Sequence, residues 1–196
     1  MNRLGYTRMA MPWHPLAVAI VAGAIPAAAG HGATVAFPAA LLAAATGFAI
    51  DDESMETLAA SPTSLLRRRL LRLSAMIPAA ILGWSVLVLI PAARGSDEAL
   101  TLLAMFAGLL ALSVGFASSI ARRSRGRGGA LGASALLLAL IVSSIVHPRW
   151  RPLPLGDVPG GWSALQMRWS LAAVTGIVIF LAASRDPAAR RAWRRT

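Results

Sequence analysis

The sequence predicts an all-α integral membrane protein with six transmembrane helices, a single transmembrane domain over 1–196, and both termini in the cytoplasm. Hydrophobic residues make up 57% of the 196 residues and charged residues only 14%. This balance is ordinary for multispan membrane proteins and unusual for soluble domains. The 19 lysine-plus-arginine positions are all arginine, and most of them flank long uncharged runs. We therefore expect a multi-pass protein of the cell inner (plasma) membrane.

The first uncharged region, Met9–Ile50, is too long for one helix. It would extend about 63 Å at 1.5 Å per residue, about twice the hydrocarbon thickness of a bilayer. Gly30-His31-Gly32 is the strong break inside it, which predicts one helix near Met11–Ala29 and another near Ala33–Ile50. Four later uncharged runs have the length that a tilted span needs: Ser74–Ala93, Ala99–Ala121, Gly129–Val146 and Ala164–Ser184.

The arginines predict the sidedness of these helices. With a cytoplasmic N-terminus, fifteen arginines lie in inner segments and four in outer ones, namely Arg94, Arg149, Arg151 and Arg168. Cytoplasmic loops carry an excess of basic residues, so this arrangement is the expected one. The net charge of +11 does not predict a nucleic acid partner, because the arginines flank apolar runs instead of covering one face of a soluble domain.

The inner segment 51–73, between the second and third helices, carries the most specific pattern. Acidic residues come first, Ser61-Pro62 interrupts the chain, and arginines follow. Pro62 suits the first turn of a helix with Ser61 as its N-cap, so we expect two short helices. Leucines fall along one side of the second helix, which is typical of an interfacial helix on lipid. These leucines are Leu65, Leu66, Leu70 and Leu73, and the arginines of the predicted inner interface are Arg67, Arg68, Arg69 and Arg72.

The first of these two short helices is predicted to bind a protein. Its apolar residues have helical spacing among carboxylates, and such a surface suits a cytoplasmic partner better than an anionic membrane. The candidate docking residues are Asp52, Glu53, Met55, Glu56, Leu58 and Ala59. A metal site at Asp51, Asp52 and Glu53 is the alternative for the acidic residues, but we favour a role in capping the helix that follows them.

The outer segment 147–163, between the fifth and sixth helices, is the candidate outer gate or lid. Its prolines and glycines exclude a regular helix throughout, and its apolar side chains predict that it lies on, or dips into, the outer membrane face. Trp150, Trp162 and Trp169 suit the headgroup level, to which Arg168 can snorkel. The alternative for Arg168 is a contact with an anionic group of a substrate. A structural lid and a gate over an exit path both fit this segment.

Small residues recur at every fourth position of the fourth predicted helix. Such a ridge allows two helices to approach closely, and we favour packing within the chain over packing with a second copy. The residues of the ridge are Ala107, Ala111, Gly115 and Ser119.

Six predicted spans, with an acidic, proline-broken and then arginine-rich inner segment after the second of them, resemble the membrane subunit of an ABC-2 type transporter. The resemblance implies that a coupling helix at about Asp52–Ala60 docks on a separate ATP-binding subunit, which holds ATP and Mg. It also implies short, partly inserted helices in the last outer loop. We expect a second permease copy or a homologous permease, together with membrane lipid, as further partners.

The chain itself lacks the residues of an ATPase or of a membrane enzyme. Without lysine it cannot form a G-x-x-x-x-G-K-[ST] phosphate loop, so we expect no cofactor bound by this chain. His14, His31 and His147 have no metal-ligand spacing. No ionisable residue lies at the centre of a predicted span, which disfavours ion-coupled transport. These observations favour the non-hydrolytic permease subunit of an ATP-driven exporter for amphipathic or lipid-like cargo. The alternative is a structural or accessory subunit of a larger membrane complex.

Overall fold

The computed structural model describes residues 13–28, 36–51, 65–89, 96–124, 128–145 and 161–185, which are helical almost throughout and contain no strand. The all-α prediction is confirmed for these residues. They form six helices: α1, Trp13–Ala28; α2, Ala36–Gly47, continued by a 3₁₀ turn at Phe48–Ile50; α3, Leu65–Trp84, continued by a π-helical turn at Ser85–Leu89; α4, Ser96–Ala121; α5, Gly128–Ile145; and α6, Gly161–Ser184.

Three of the described helices are long and apolar enough to cross a membrane, judged by length and composition. They are Leu65–Leu87, Ala99–Ala121 and Ser163–Ser184. The apolar parts of α1, α2 and α5 are shorter. α1, for example, extends about 24 Å at 1.5 Å per residue, against about 30 Å of bilayer hydrocarbon. The structure thus supports a membrane protein with three candidate spans, and the count of six spans stays a prediction.

Large apolar side chains cover the outside of the helices. Ile25 on α1, Leu82 on α3 and Leu138 on α5 are each more than 60% exposed. Soluble monomers rarely expose extended apolar surfaces, whereas lipid is as apolar as leucine. The distribution of exposed side chains therefore agrees with the membrane class that the composition predicts.

Hydrogen bonds between helix ends show that α2 to α6 alternate in direction. Asp51, which follows α2, accepts hydrogen bonds from the first turn of α5. Arg69, near the start of α3, donates to the last turns of α4 and α6. One end of the bundle therefore collects Asp51, residues 65–72 of α3, residues 118–124 at the end of α4, the start of α5 and residues 182–185 at the end of α6. We call it the arginine end.

The fourth helix is the centre of the bundle. In its apolar part 61% of the residues are buried, against 22% for α3 and 33% for α6. α4 packs against α6, α5 and α2, and α2 in turn packs against α1 and α3. A central helix with neighbours on most of its sides needs small residues, because side-chain volume sets the distance between helix axes.

Glycines bring α4 and α6 into backbone contact. A Cβ atom on Gly115 would lie 2.6 Å from the carbonyl oxygen of Gly176, and one on Gly176 would lie 2.3 Å from the carbonyl carbon of Ala111. No side chain fits at either glycine. Ala111 and Gly115 belong to the ridge of small residues, so at these two positions the ridge packs inside the chain, as predicted. Ala107, at the other end of the ridge, is exposed.

The first two turns of α3 differ from the sequence prediction. The segment after Ser61-Pro62 does not form a separate interfacial helix, because Leu65–Trp84 is one continuous helix through Pro78. The buried side of α3 holds Arg69, Leu73, Met76, Ala80 and Trp84, at spacings of three or four residues that mark one helix face. The leucine side does not lie on lipid throughout either, since Leu73 is buried and Leu70 is exposed.

Candidate functional site at the arginine end

The arginine end joins five helices, and it includes both described flanks of the segment 52–64, which itself lies outside the described residues. The described residue before that segment is Asp51, and the first one after it is Leu65. Both flanks make hydrogen bonds to other helices. The site is therefore built from the described residues on the two flanks of this segment.

Asp51 caps the start of α5 with both carboxylate oxygens. The backbone N–H of Gly129 donates to Oδ1 at 2.5 Å, and the N–H of Ala130 donates to Oδ2 at 3.0 Å. The first N–H groups of a helix have no partner inside the helix, and they carry a partial positive charge that a carboxylate stabilises. Asp51 thus caps a helix, but not the one directly after it as predicted, because the capped helix begins at Gly128, 77 positions further along the chain.

A glycine at position 129 makes this cap possible. A Cβ atom there would lie 2.5 Å from the carbonyl oxygen of Gly47 and 2.9 Å from Cγ of Asp51. The first turn of α5 therefore sits directly on the end of α2, and any side chain at Gly129 would push the two apart. Gly129 allows α5 to approach the end of α2 closely, and this approach brings the N–H groups of α5 within reach of the Asp51 carboxylate.

Arg72, on the other flank of the segment, binds Asp51. Its Nη1 donates to the backbone carbonyl of Asp51 at 2.5 Å. The side chain that follows the segment thus binds the residue that precedes it. A hydrogen bond between α3 and the residue that follows α2 thus joins the two described flanks of 52–64.

Arg69 links α3 to both α4 and α6. Its guanidinium is buried, with 5% of the residue exposed, and donates to the carbonyl of Ala183 at 3.2 Å, to Oγ of Ser184 at 3.1 Å and to the carbonyl of Ser118 at 3.5 Å. Both carbonyls belong to the last turn of their helix, where the C=O groups lack intrahelical partners and the helix dipole is negative. These carbonyl and hydroxyl acceptors stabilise the charge of Arg69 inside the bundle.

Arg69 therefore corrects the prediction of an inner interface made of four arginines. Arg67 is exposed and Arg68 and Arg72 are half-buried, but Arg69 points into the bundle, because it shares a helix face with Leu73 and Met76. Arg122, which the sequence assigned only to the inner face, has a more definite position. It lies at the end of α4, and its Nη1 donates to the carbonyl of Ala182 on α6 at 3.0 Å.

At the opposite end of the bundle, the predicted gate residues have different environments. Trp169 is fully buried, and its ring and carbonyl lie against Gly108 on α4. It is therefore a packing residue and not a headgroup-level anchor as predicted, because a glycine on α4 leaves a recess for the indole ring. Arg168 is half-buried. Trp150 and the side chain of Trp162 lie outside the described residues.

The remaining predicted site residues are not described. Asp52, Glu53, Met55, Glu56, Leu58 and Ala59, the candidate docking residues, all fall within 52–64. Among the described residues no group of three or more histidines, aspartates or glutamates comes together as a metal site. The described part of the arginine end is thus a hydrogen-bonded junction of helix ends, built from arginine, aspartate and backbone groups.

Comparisons with known proteins found no match to this chain. No protein-family model matches the chain, and neither the curated proteins nor the solved structures contain a match.

Proposed function

We propose that the chain is the membrane-spanning permease subunit of an ATP-driven ABC exporter, powered by a separate ATPase subunit that docks on the 51–73 segment. The observation that carries this proposal is the attachment of both flanks of 52–64 to the rest of the bundle. A partner that moves this segment would act on several helices at once, which is what a coupling element has to do.

Three links would pass such a movement into the helices. Asp51 holds the start of α5, Arg72 holds Asp51, and Arg69 holds the ends of α4 and α6. Hydrogen bonds to charged groups are shorter and about twice as strong as neutral ones. The first two turns of α3 are part of the candidate membrane span Leu65–Leu87, so a movement of the segment would pass directly into that helix.

The proposal includes the finer topology. Six helices cross the cell inner (plasma) membrane, and the arginine end and both termini lie in the cytoplasm. The positive-inside bias of fifteen arginines against four supports this orientation. ATP and Mg are bound by the partner, since this chain has no lysine for a phosphate loop.

The absence of cysteine from the chain makes the topology directly testable. Single cysteines at Ser124, at the arginine end, and at Ser163, at the opposite end, give two reporters on an otherwise thiol-free protein. A membrane-impermeant maleimide added to intact cells should label Ser163→Cys and spare Ser124→Cys until the cells are opened. The reverse pattern contradicts the orientation, and labelling of both in intact cells contradicts the crossing between them.

An amphipathic or lipid-like cargo remains the substrate class that the described helices favour. The buried polar side chains away from the arginine end are neutral, such as Thr46, Thr101 and Ser113. A carrier of protons or sodium needs ionisable groups or unwound backbone near the middle of the membrane. Cross-linking or direct transport that identifies a small hydrophilic ion as cargo would contradict this part of the proposal.

The docking surface can be tested with a matched pair of variants in the 52–64 segment. Met55→Glu with Leu58→Glu places charges on the predicted docking side, and Ser54→Glu with Thr57→Glu adds the same charge to the alternate positions. Purification from native membranes should recover a phosphate-loop ATPase with the wild-type chain and with the second pair, but not with the first. Equal recovery with both pairs contradicts the placement of the coupling helix.

The same purification separates the alternative function. A structural or accessory subunit of a larger membrane complex would co-purify with that complex and without any phosphate-loop ATPase. That result would replace the exporter proposal. Recovery of the ATPase together with a second copy, or a homologous permease, would support the complete exporter assembly.

A further inference from the structure

We propose that an anionic phospholipid binds at the arginine end of α6, with its phosphate between Arg122 and Arg185 and an acyl chain along an exposed apolar stripe of the helix. This inference rests on the part of the proposed function that places the chain in a membrane. It does not depend on an ATPase partner or on transport.

The apolar stripe runs along one face of α6 and ends at an arginine. Its residues are spaced alternately by four and three positions, which keeps them on one side of a helix. Arg185 continues the same spacing, four positions after the last of them, and is exposed. The stripe consists of Met167, Leu171, Val174, Val178 and Leu181, with exposed fractions of 64, 60, 58, 58 and 47%.

Arg122 brings a second guanidinium to the end of this stripe. It is exposed, and its hydrogen bond to the carbonyl of Ala182 holds it across the end of α6. Ala182 is itself exposed and lies next to Leu181 and three positions before Arg185. The two arginines therefore reach the same helix end from α4 and from α6. Arginine presents a planar fork of donors that matches a phosphate group.

Charge and shape together favour a phospholipid over a soluble anion. The stripe from Met167 to Leu181 extends about 21 Å at 1.5 Å per residue, which exceeds the hydrocarbon depth of one leaflet, about 15 Å. A free phosphate would use the guanidinium groups and leave this surface unused. Asp51, the described carboxylate at this end, is engaged by the N–H groups of Gly129 and Ala130.

The sequence after Arg185 is basic overall. Asp186 follows Arg185 and lies outside the described residues. Four further arginines come after it: Arg190, Arg191, Arg194 and Arg195. A basic segment next to a membrane helix attracts anionic lipid, and the effect falls off within a Debye length of the surface.

The test compares lipid binding by two double variants of the full chain in a neutral detergent. Arg122→Gln with Arg185→Gln removes the proposed site, and Arg67→Gln with Arg123→Gln removes two exposed arginines from the same end of the molecule. Bound phosphatidylglycerol and phosphatidylcholine are counted by native mass spectrometry across a titration. One basic residue near an anionic surface changes affinity by about fivefold. We expect the first pair to weaken phosphatidylglycerol binding by roughly five- to thirtyfold, the second by less than threefold, and phosphatidylcholine binding to stay unchanged.

Three results would overturn the proposal. Equal losses in the two pairs would mean attraction to the whole basic end without a site. Displacement of phosphatidylglycerol by millimolar inorganic phosphate would mean that the arginines bind a free anion. If the first pair does not yield folded protein, the wild-type chain still tests the proposal. Equal binding of phosphatidylglycerol and phosphatidylcholine by the wild-type chain would contradict the site. Loss of the ATPase partner from the chain would leave all these measurements unaffected.

Discussion

α3 and α6 both pack around the central α4, but they are attached in opposite ways. α6 touches α4 through its backbone, at Gly115 and Gly176. α3 contacts α4 through long side chains, with Trp84 stacked on Phe106 at 4.7 Å between ring centroids and with Arg69 reaching the carbonyl of Ser118. A backbone contact has no side-chain torsion to adjust, whereas side chains can repack. The α4–α6 pair is therefore a fixed part of the bundle, and α3 is better able than α6 to shift against α4.

The largest effect is expected where the two backbones meet. Gly176→Val places a branched side chain against Ala111, where even a Cβ atom would lie 2.3 Å from the carbonyl carbon. The helices must separate, and we expect a loss of about 3 kcal/mol or more in the free energy of unfolding. Thermal unfolding in detergent and size-exclusion chromatography measure it. Ala182→Val, at an exposed position of the same helix, is the control. A stable, monodisperse Gly176→Val protein would contradict the fixed pair.

A smaller loss is expected when the polar link of α3 is removed. Arg69→Ala deletes hydrogen bonds to the ends of both α4 and α6, and hydrogen bonds to charged groups contribute about 1.5–3 kcal/mol. We expect a loss of about 2–3 kcal/mol and faster amide hydrogen exchange in the first turns of α3. Arg123→Ala, at an exposed position of the same end, should stay within about 0.5 kcal/mol. Equal losses from the two substitutions would mean that the buried hydrogen bonds of Arg69 contribute no more to the free energy of unfolding than an exposed arginine does.

The cap at the start of α5 should contribute less again. Asp51→Ala removes both carboxylate acceptors, and loss of an N-cap side chain costs about 0.5–2 kcal/mol. Asp51→Asn keeps one acceptor oxygen and should retain part of that stability. Hydrogen exchange at the amides of Gly129 and Ala130 reports the cap directly, and it should speed up most in the alanine variant. Unchanged exchange at both amides would contradict the cap.

The smallest effect is expected at the aromatic contact of α3. Trp84 is fully buried, and its indole N–H has no hydrogen-bond partner among the described residues. Trp84→Phe keeps a ring against Phe106. The smaller ring fills less volume, which destabilises the fold, but the substitution also removes a buried N–H without a hydrogen bond, which stabilises it. We expect a change of at most about 1 kcal/mol. Trp84→Ala, by comparison, should cost about 3–5 kcal/mol. A loss from Trp84→Phe as large as that from Gly176→Val would show that α3 is held as rigidly as α6.

The sequence predicted the helices well because uncharged length is a property of each segment alone. All six predicted helices have a described helix at their position, although only three are long and apolar enough to count as candidate spans. The third helix begins earlier than predicted, at Leu65 and not near Ser74. Arginines in sequence predict the end of an apolar run, but an arginine with hydrogen-bond partners is tolerated inside a helix bundle.

The candidate site was harder to predict because it depends on contacts between distant residues. A signal for Arg69 was present, since positions 69, 73, 76, 80 and 84 share the spacing of one helix face. The leucines on the neighbouring face form a more conspicuous apolar pattern in the same segment. The partner of Asp51 left no comparable trace in the sequence. A carboxylate followed by further acids predicts a local cap, and nothing in the local pattern indicates that the capped helix begins at Gly128.

The cap by Asp51 also has a consequence for how the protein is built. Lipid provides little to stop one helix from sliding along another, because apolar surfaces remain equally solvated at any depth. A carboxylate bound to two backbone N–H groups is directional, and it fixes the depth of α5 relative to α2. Because α2 is synthesised before α5, the carboxylate that caps α5 is already present when α5 leaves the ribosome. Asp51 thus aligns α5, which is synthesised late, with α2, which is synthesised early.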